Sequence, residues 1–286
     1  MVIRSVGICL KPNQPQLADV VQALEAWLVG RGLGVVLGKH AAIATGVPAT
    51  PRSEVAAKVD LMIVLGGDGT LLAVARAVGN RPVPILGVNL GTLGFLTEVS
   101  QQDLFETLED VLAGRCLTEE RMRLDVAVER GGEVQCRYLA LNDAVIARTA
   151  LSRMIDLGAR ADGAEVTAYY GDGLIISTPT GSSAYSLSAG GPLVLPGVEA
   201  VLLTPICPHT LTQRPLVLGH RCDLDITVHN SRGGEVQLTV DGQVGCELAE
   251  GDRVLVRRSE YPARLVVPTG RNRFEVMRTK LRWGER

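Results

Sequence analysis

The sequence predicts an α/β domain followed by an all-β domain: an N-terminal open α/β (Rossmann-like) half and a C-terminal β-sandwich-like half. Three observations carry this. The 286 residues, at roughly 150 per domain, suffice for about two hydrophobic cores. Up to about residue 115, continuous apolar runs alternate with stretches of helical period, the pattern of a parallel sheet covered on both faces. From Arg121 onward, short β-branched runs separated by turn residues replace that alternation.

Taken in order, residues 2 to 10 form a β-branched apolar strand, and Leu17, Val20, Val21, Leu24 and Leu28 recur at helical spacing. Gly32 to Leu37 offers a second strand. Asp60 to Leu65 is a buried strand that ends in Gly66-Gly67-Asp68-Gly69-Thr70, after which Leu71, Leu72, Ala75 and Val78 mark a helix. Pro84 to Val88 reads as a further strand and Asp103 to Leu112 as an amphipathic helix. The β-rich half is expected at Leu124 to Val128, Val134 to Leu139, Ala144 to Ala147, Leu224 to Val228, Val236 to Val240, Val254 to Val256 and Leu265 to Val267. These readings place the domains at 1–118 and 119–286, with the amphipathic stretch Phe274 to Trp283 packing back on another element, the first domain being the candidate.

Composition narrows the partners. Lys plus Arg of 29 against Asp plus Glu of 31 leaves a net charge of −2, so no bulk positive field draws nucleic acid or anionic lipid. The six cysteines are scattered without a C-x-x-C pair and read as reduced thiols. No signal-peptide pattern opens the chain, and no apolar run approaches the ~18 residues of a membrane span. The expectation is a cytoplasmic, soluble protein whose partners are small molecules.

The most informative stretch is Gly66 to Thr70, at the carboxyl end of a strand and the start of a helix, where open α/β sheets bind ligands. Glycines bring backbone N–H groups against phosphate oxygens, and the helix N-terminus adds positive partial charge. A carboxylate in such a turn, Asp68, suits a base that takes a proton from an attacking hydroxyl or a metal ligand. Alternatively, Asp68 or Thr70 simply caps the helix. G-x-G-x-x-G, Walker A, G-x-S-x-G and H-E-x-x-H patterns are all missing, and the four histidines lack metal spacing. A second cluster, Asp172 to Pro192, leads a buried strand into a hydroxyl-rich loop with Tyr185 available to close a pocket. Leu141-Asn142-Asp143 pairs an amide with a carboxylate, which suits ribose or adenine recognition and equally an Asx turn. Val240-Asp241-Gly242-Gln243 reads as a hairpin turn.

In combination these stretches resemble the NAD kinase family: GGDGT at 66 to 70, ILGVNLGTLGFLTE at 85 to 98, LNDAVI at 141 to 146, DGLIISTPTGSSAYSLSAGGPLV at 172 to 194, PICPHTL at 205 to 211 and VDGQ at 240 to 243. The resemblance implies phosphorylation of the 2′-hydroxyl of the adenosine ribose of NAD to form NADP. It implies ATP, another nucleoside triphosphate or polyphosphate as donor, a divalent metal ion such as Mg²⁺, an active site between the two domains, and a homodimer or homotetramer. By position, Asp68 would be the general base, with Gly66, Gly67, Gly69 and Thr70 around the phosphates. Phe95 would pack on adenine, Asn142 and Asp143 would bind adenosine and ribose, and Asp172 would contact the nicotinamide end. Ser183, Ala184, Tyr185, Ser186, Leu187 and Ser188 would line the dinucleotide pocket, and Arg153 and Gln243 match further contact positions. The chain departs from many relatives at Tyr170, where a basic residue is common, and in having Asn-Asp for Asn-Glu. The competing readings are a GGDGT lipid kinase, whose G-T-G-N-D segment is not found, and a non-catalytic NAD-binding sensor on the same fold.

Overall fold

Strands whose residues are apolar at every position need cover on both faces, and five consecutive buried residues mark each of the two central strands of the N-terminal sheet. The computed structural model describes residues 2–91, 94–149, 154–230, 235–270 and 272–282. Contacts divide the chain into two units, residues 1–120 with 263–286, and residues 121–262.

In the first unit, β1 (Ser5–Leu10) pairs in parallel with β2 (Gly34–Leu37) and with β3 (Leu61–Leu65), and β3 pairs in parallel with β4 (Ile85–Asn89). The short β5 (Val99–Ser100) adds to β4, and the sheet continues through the strand Ala263–Val267 to β6 (Leu117–Arg121). The helices are α1 (Ala18–Val29), α2 (Lys39–Thr45), α3 (Arg52–Lys58), α4 (Asp68–Val78) and α5 (Leu104–Leu112). α1 buries Val21, Leu24 and Leu28, the stripe read from the sequence, in one core with Ile8, Ile63, Leu86 and Leu108. α2 and α3 were not legible in the hydrophobic pattern. Asp60, just ahead of β3, accepts hydrogen bonds from the N–H groups of Arg4 and Ser5 and from the Ser5 hydroxyl, which sets the start of β1 against β3.

In the second unit two six-stranded antiparallel sheets share one core. One sheet runs β11 (Ala164–Gly171), β10 (Ile155–Ala161), β15 (Leu224–Asn230), β18 (Arg253–Arg258), β7 (Leu124–Arg130), β8 (Glu133–Ala140). The other runs β14 (Leu216–Gly219), β13 (Ala200–Ile206), β12 (Gly173–Ser177), β9 (Asp143–Arg148), β16 (Val236–Val240), β17 (Val244–Leu248). Val126, Leu157, Ile226 and Val254 from the first sheet meet Ile146, Leu174, Leu203 and Leu238 from the second, the interleaving of a β-sandwich.

The sequence reading differs from the structure at the C-terminus. Leu265 to Val267, expected among the strands of the β-rich half, pairs in parallel with β4 through Leu265 and Ile85, so the chain returns to the first unit before it ends. Leu265, Val266 and Val267 are all buried, as a strand inside a two-face-covered sheet requires. The amphipathic stretch at the C-terminus forms a helix, α7 (Arg273–Leu281), with Asn272 Oδ1 accepting from Phe274 N; it buries Val276 and leaves Phe274 exposed. Among the described residues no helix is long and apolar enough to cross a membrane.

Candidate active site

The Gly66–Thr70 turn joins β3 to α4 as the sequence suggested, but Asp68 does not cap the helix. Gly67 occupies the N-cap position with no side-chain cap, and Asp68 is the first helical residue. Its carboxylate turns away to the loop after β4. Oδ1 accepts from Leu96 N, Thr97 N and Thr97 Oγ1, each at 3.0 Å, and Oδ2 accepts from Phe95 N at 2.9 Å. The Thr97 hydroxyl is itself held by Asn89 Nδ2 at 3.0 Å. A Cβ on Gly94 would run into Asp68 Oδ1, so the loop can close on the carboxylate only with glycine there. Asn89 and Thr97, both buried, are site residues that sequence reasoning passed over. Their signal was a set of polar side chains, Asn89 and Thr97 among them, inside the largely apolar run ILGVNLGTLGFLTE.

A second constellation lies within the β-sandwich unit. Asn142 and Asp143, at the start of β9, line a cavity of about 480 Å³ with Arg148, Ala184, Tyr185, Asp241 and strand residues around them. The loop after β12 is tied to the same place. Thr178 Oγ1 donates to the Leu141 carbonyl at 2.6 Å, and Thr178 N donates to the Asn142 carbonyl at 2.9 Å. Gly181 packs directly on the Asn142 backbone, where a Cβ would collide with its carbonyl oxygen. Among the described residues, the buried Asn142 Oδ1 has no hydrogen-bond partner. A buried acceptor without a donor is costly.

Asp241 organises this end of the sandwich. Buried itself, it accepts from Leu141 N at 3.1 Å, Asn142 N at 2.7 Å and Asp143 N at 3.2 Å. Asp143 is buried beside it, and burial together with the Asp241 charge pushes the Asp143 carboxyl up to about 7. Arg123, nearly fully buried, donates through Nε to the Tyr261 carbonyl at 2.6 Å. Burial lowers this guanidinium to about 10, still cationic at neutral pH, against the opposing pull of Asp241.

The remaining predicted residues spread more widely. Asp172 forms an ion pair with Arg148, Nε to Oδ1 at 2.7 Å, so it reaches the cavity wall through that arginine. Of the loop Ser183 to Ser188, Ala184 and Tyr185 line the cavity. Ser186 is fully buried with its hydroxyl 2.9 Å from Thr204 Oγ1, and Ser183 donates to the Thr180 carbonyl. Leu187, Ser188 and Gln243 are not among the lining residues. Phe95 belongs with Asp68 through its N–H, and Arg153 lies outside the described residues. Tyr170 packs edge-on against His209, with ring centroids 5.8 Å apart.

The Asp143 environment sets a pH dependence of stability. Its carboxyl titrates near 7 in the folded chain and near the ordinary carboxylate range, about 4, when unfolded. The folded state therefore holds the extra proton between those values, and stability is lost as pH rises through 7. Asp143→Asn, which cannot ionise, is expected to flatten the fall in Tm between pH 5 and 8 by several degrees. Parallel slopes for wild type and variant in thermal melts would remove Asp143 as the cause.

Comparison with known proteins agrees with both halves of this arrangement. Residues 6–116 match the family model described as ATP-NAD kinase N-terminal domain, and residues 141–267 match the ATP-NAD kinase C-terminal domain. The chain is 48% identical over 289 residues to the NAD kinase of Geobacter sulfurreducens, covering 99% of this chain and 100% of that one. It is 43% identical over 286 residues to the NAD kinase of Koribacter versatilis, with the same coverage. Among solved structures, yeast NADH kinase complexed with NADH superposes with a TM-score of 0.89 at 28% identity, covering 100% of this chain and 89% of that one. An Archaeoglobus fulgidus NAD kinase in complex with ATP gives 0.77 at 26% identity, covering 97% and 98%. With both domain models matched in order and close relatives aligned end to end, the chain belongs to the NAD kinase family.

Proposed function

We propose that Asp68 is the general base in the reaction this chain catalyses, the phosphorylation of NAD to NADP with ATP as donor. The observation that carries the proposal is the clamp on its carboxylate. Three successive N–H groups and one hydroxyl fix both oxygens, so the side chain cannot swing to cap α4. Among the described residues Oδ2 accepts a single bond, which leaves it lone-pair capacity for the ribose 2′-hydroxyl proton. As that proton moves to Asp68, the 2′-oxygen bonds to the γ-phosphorus and the bond to the β-phosphate oxygen breaks, releasing ADP. Phosphoryl transfer asks chiefly for such positioning and for neutralised charge, which the N-terminal turn of α4 assists.

The cavity at Asn142 and Asp143 serves as the adenosine and ribose pocket in this reading, supported by its volume and by the amide, carboxyl and phenol side chains of Asn142, Asp143 and Tyr185 at its wall. The proposal extends, through the resemblance, to Gly66, Gly67, Gly69 and Thr70 around the phosphates and to Asp172 toward the nicotinamide end. A protein-built metal centre does not fit. Among the described residues no three His, Cys, Asp or Glu side chains are grouped to hold an ion, and the Asp68 oxygens face backbone donors. Mg²⁺ is accordingly read as entering on the phosphates of ATP, the usual mode for this weakly dehydrating ion. The family supports a homodimer or homotetramer, and the free cysteines suit a reducing compartment such as the cytoplasm; light scattering on the purified chain reads the subunit number.

Incubation with ATP, Mg²⁺ and NAD, followed by an NADP assay, tests the base. Asp68→Ala is expected to lower kcat by about 10²- to 10⁴-fold while NAD still binds; retained turnover would sink the assignment, and a wild-type protein that binds NAD yet makes no NADP would favour a sensor. Gly94→Ala pushes on Asp68 Oδ1 without touching its chemistry, and is expected to cost about a hundredfold in kcat in a protein that remains folded. Full activity in that variant would show that the clamp is dispensable.

A further inference from the structure

The hairpin turn Val240 to Gln243 does more than reverse the chain. Asp241 adopts φ +50° and Gly242 φ +64°, and Gln243 N donates to the Val240 carbonyl at 3.0 Å, which joins β16 to β17. A positive φ on a residue other than glycine carries a backbone cost that surrounding contacts must offset. Here the offsetting contacts reach about a hundred positions back along the chain. Oδ1 of Asp241 accepts from Leu141 N, Asn142 N and Asp143 N, Oδ2 accepts from Leu141 N, and Asp241 N donates to the Asp143 carbonyl at 2.9 Å. The bonds lock the backbone where β9 begins.

We propose that Asp241 is a positioning residue for NAD: by gripping these three N–H groups it fixes where the Asn142 and Asp143 side chains sit in the cavity wall, and so sets KM for NAD without acting on the reacting atoms. The inference rests on the pocket reading above. Asp241 and Gly242 stand in the same cavity wall as Asn142 and Asp143, so a shift of the turn moves the pocket itself. A carboxylate does this better than a neutral acceptor, because charge-assisted bonds to N–H groups are roughly twice as strong.

The Asp241 charge has a second consequence. With burial, it holds Asp143 partly protonated near neutral pH. An ionised Asp143 accepts from two ribose hydroxyls, a protonated one from fewer. The charged and titratable groups around Asp143 are Asp241 from the turn, Arg148 on the same strand but engaged by Asp172, Arg123 on the Asp241 side, and Tyr185 of α6 (Tyr185–Ser188). Of these, Asp241 is the like charge that opposes ionisation.

Asp241→Gly removes the carboxylate at a φ that glycine adopts freely. It is expected to raise KM for NAD about tenfold with kcat changed less than about threefold, and Asn142→Ala, itself raising KM about tenfold, should add less than about threefold on top. An unchanged KM in a variant that melts cooperatively, or fully additive effects of the two changes, overturns the proposal. Should Asp241→Gly not fold, Asp241→Asn decides. It keeps an oxygen for the three N–H groups but no charge, so the pH at which KM for NAD improves drops below its wild-type value; an unmoved profile overturns the proposal. Should Asn142→Ala leave KM for NAD unchanged, the pocket reading falls; should Asn142→Ala raise KM while Asp241→Gly does not, the pocket stands and this proposal falls.

Discussion

At two carboxylates among the described residues, Asp68 and Asp241, three consecutive N–H groups converge on one side chain. Phe95, Leu96 and Thr97 hold Asp68, and Leu141, Asn142 and Asp143 are held by Asp241. Asp60 does a smaller version with Arg4 and Ser5. In each case a loop that lacks the repeating bonds of a helix or sheet is fixed by an acceptor strong enough to take several donors. The two larger clamps run in opposite directions. At Asp68 the loop immobilises the acid, and at Asp241 the acid immobilises the loop.

That difference follows from where charge is needed. In the α/β unit the carboxylate is the proposed base, and the loop's amides fix its direction while Oδ2 accepts a single bond among the described residues. In the sandwich the proposed task is recognition, and the buried acid steadies neighbours that share its cavity wall. Arg123 adds a buried positive charge on the Asp241 side, which lowers the cost of holding Asp143 and Asp241 so close. Even so, Asp143 titrates near neutrality, the energetic trace of two acids sharing a poorly solvated corner.

Local patterns were legible and distant partnerships were not. The strand, glycine turn and helix at 61–78 follow from a five-residue apolar run, paired glycines and a 3.6-residue stripe, all contained within twenty positions. The hairpin β10–β11 escaped notice because its strands, IDLGARA and AEVTAYYG, are rich in alanine and glycine. Yet Asp162-Gly163, both at positive φ, was a usable hairpin signal between them. The strand Ala263–Val267 was visible as a strand, but nothing in its five residues says which sheet it joins.

The same limit explains why Asp241 read as a turn and nothing more. Asp-Gly satisfies a hairpin's need for positive φ, so local physics accounts fully for the pair and leaves no residue of surprise to follow up. Glycine or asparagine would meet that need as well. What sets aspartate apart there is an acceptor of full negative charge, and its value appears only when the strand that begins at Asp143 arrives from a hundred residues away. A turn residue whose charge exceeds what the turn requires is thus a marker for a long-range contact, and in this chain that contact leads to the wall of the candidate pocket.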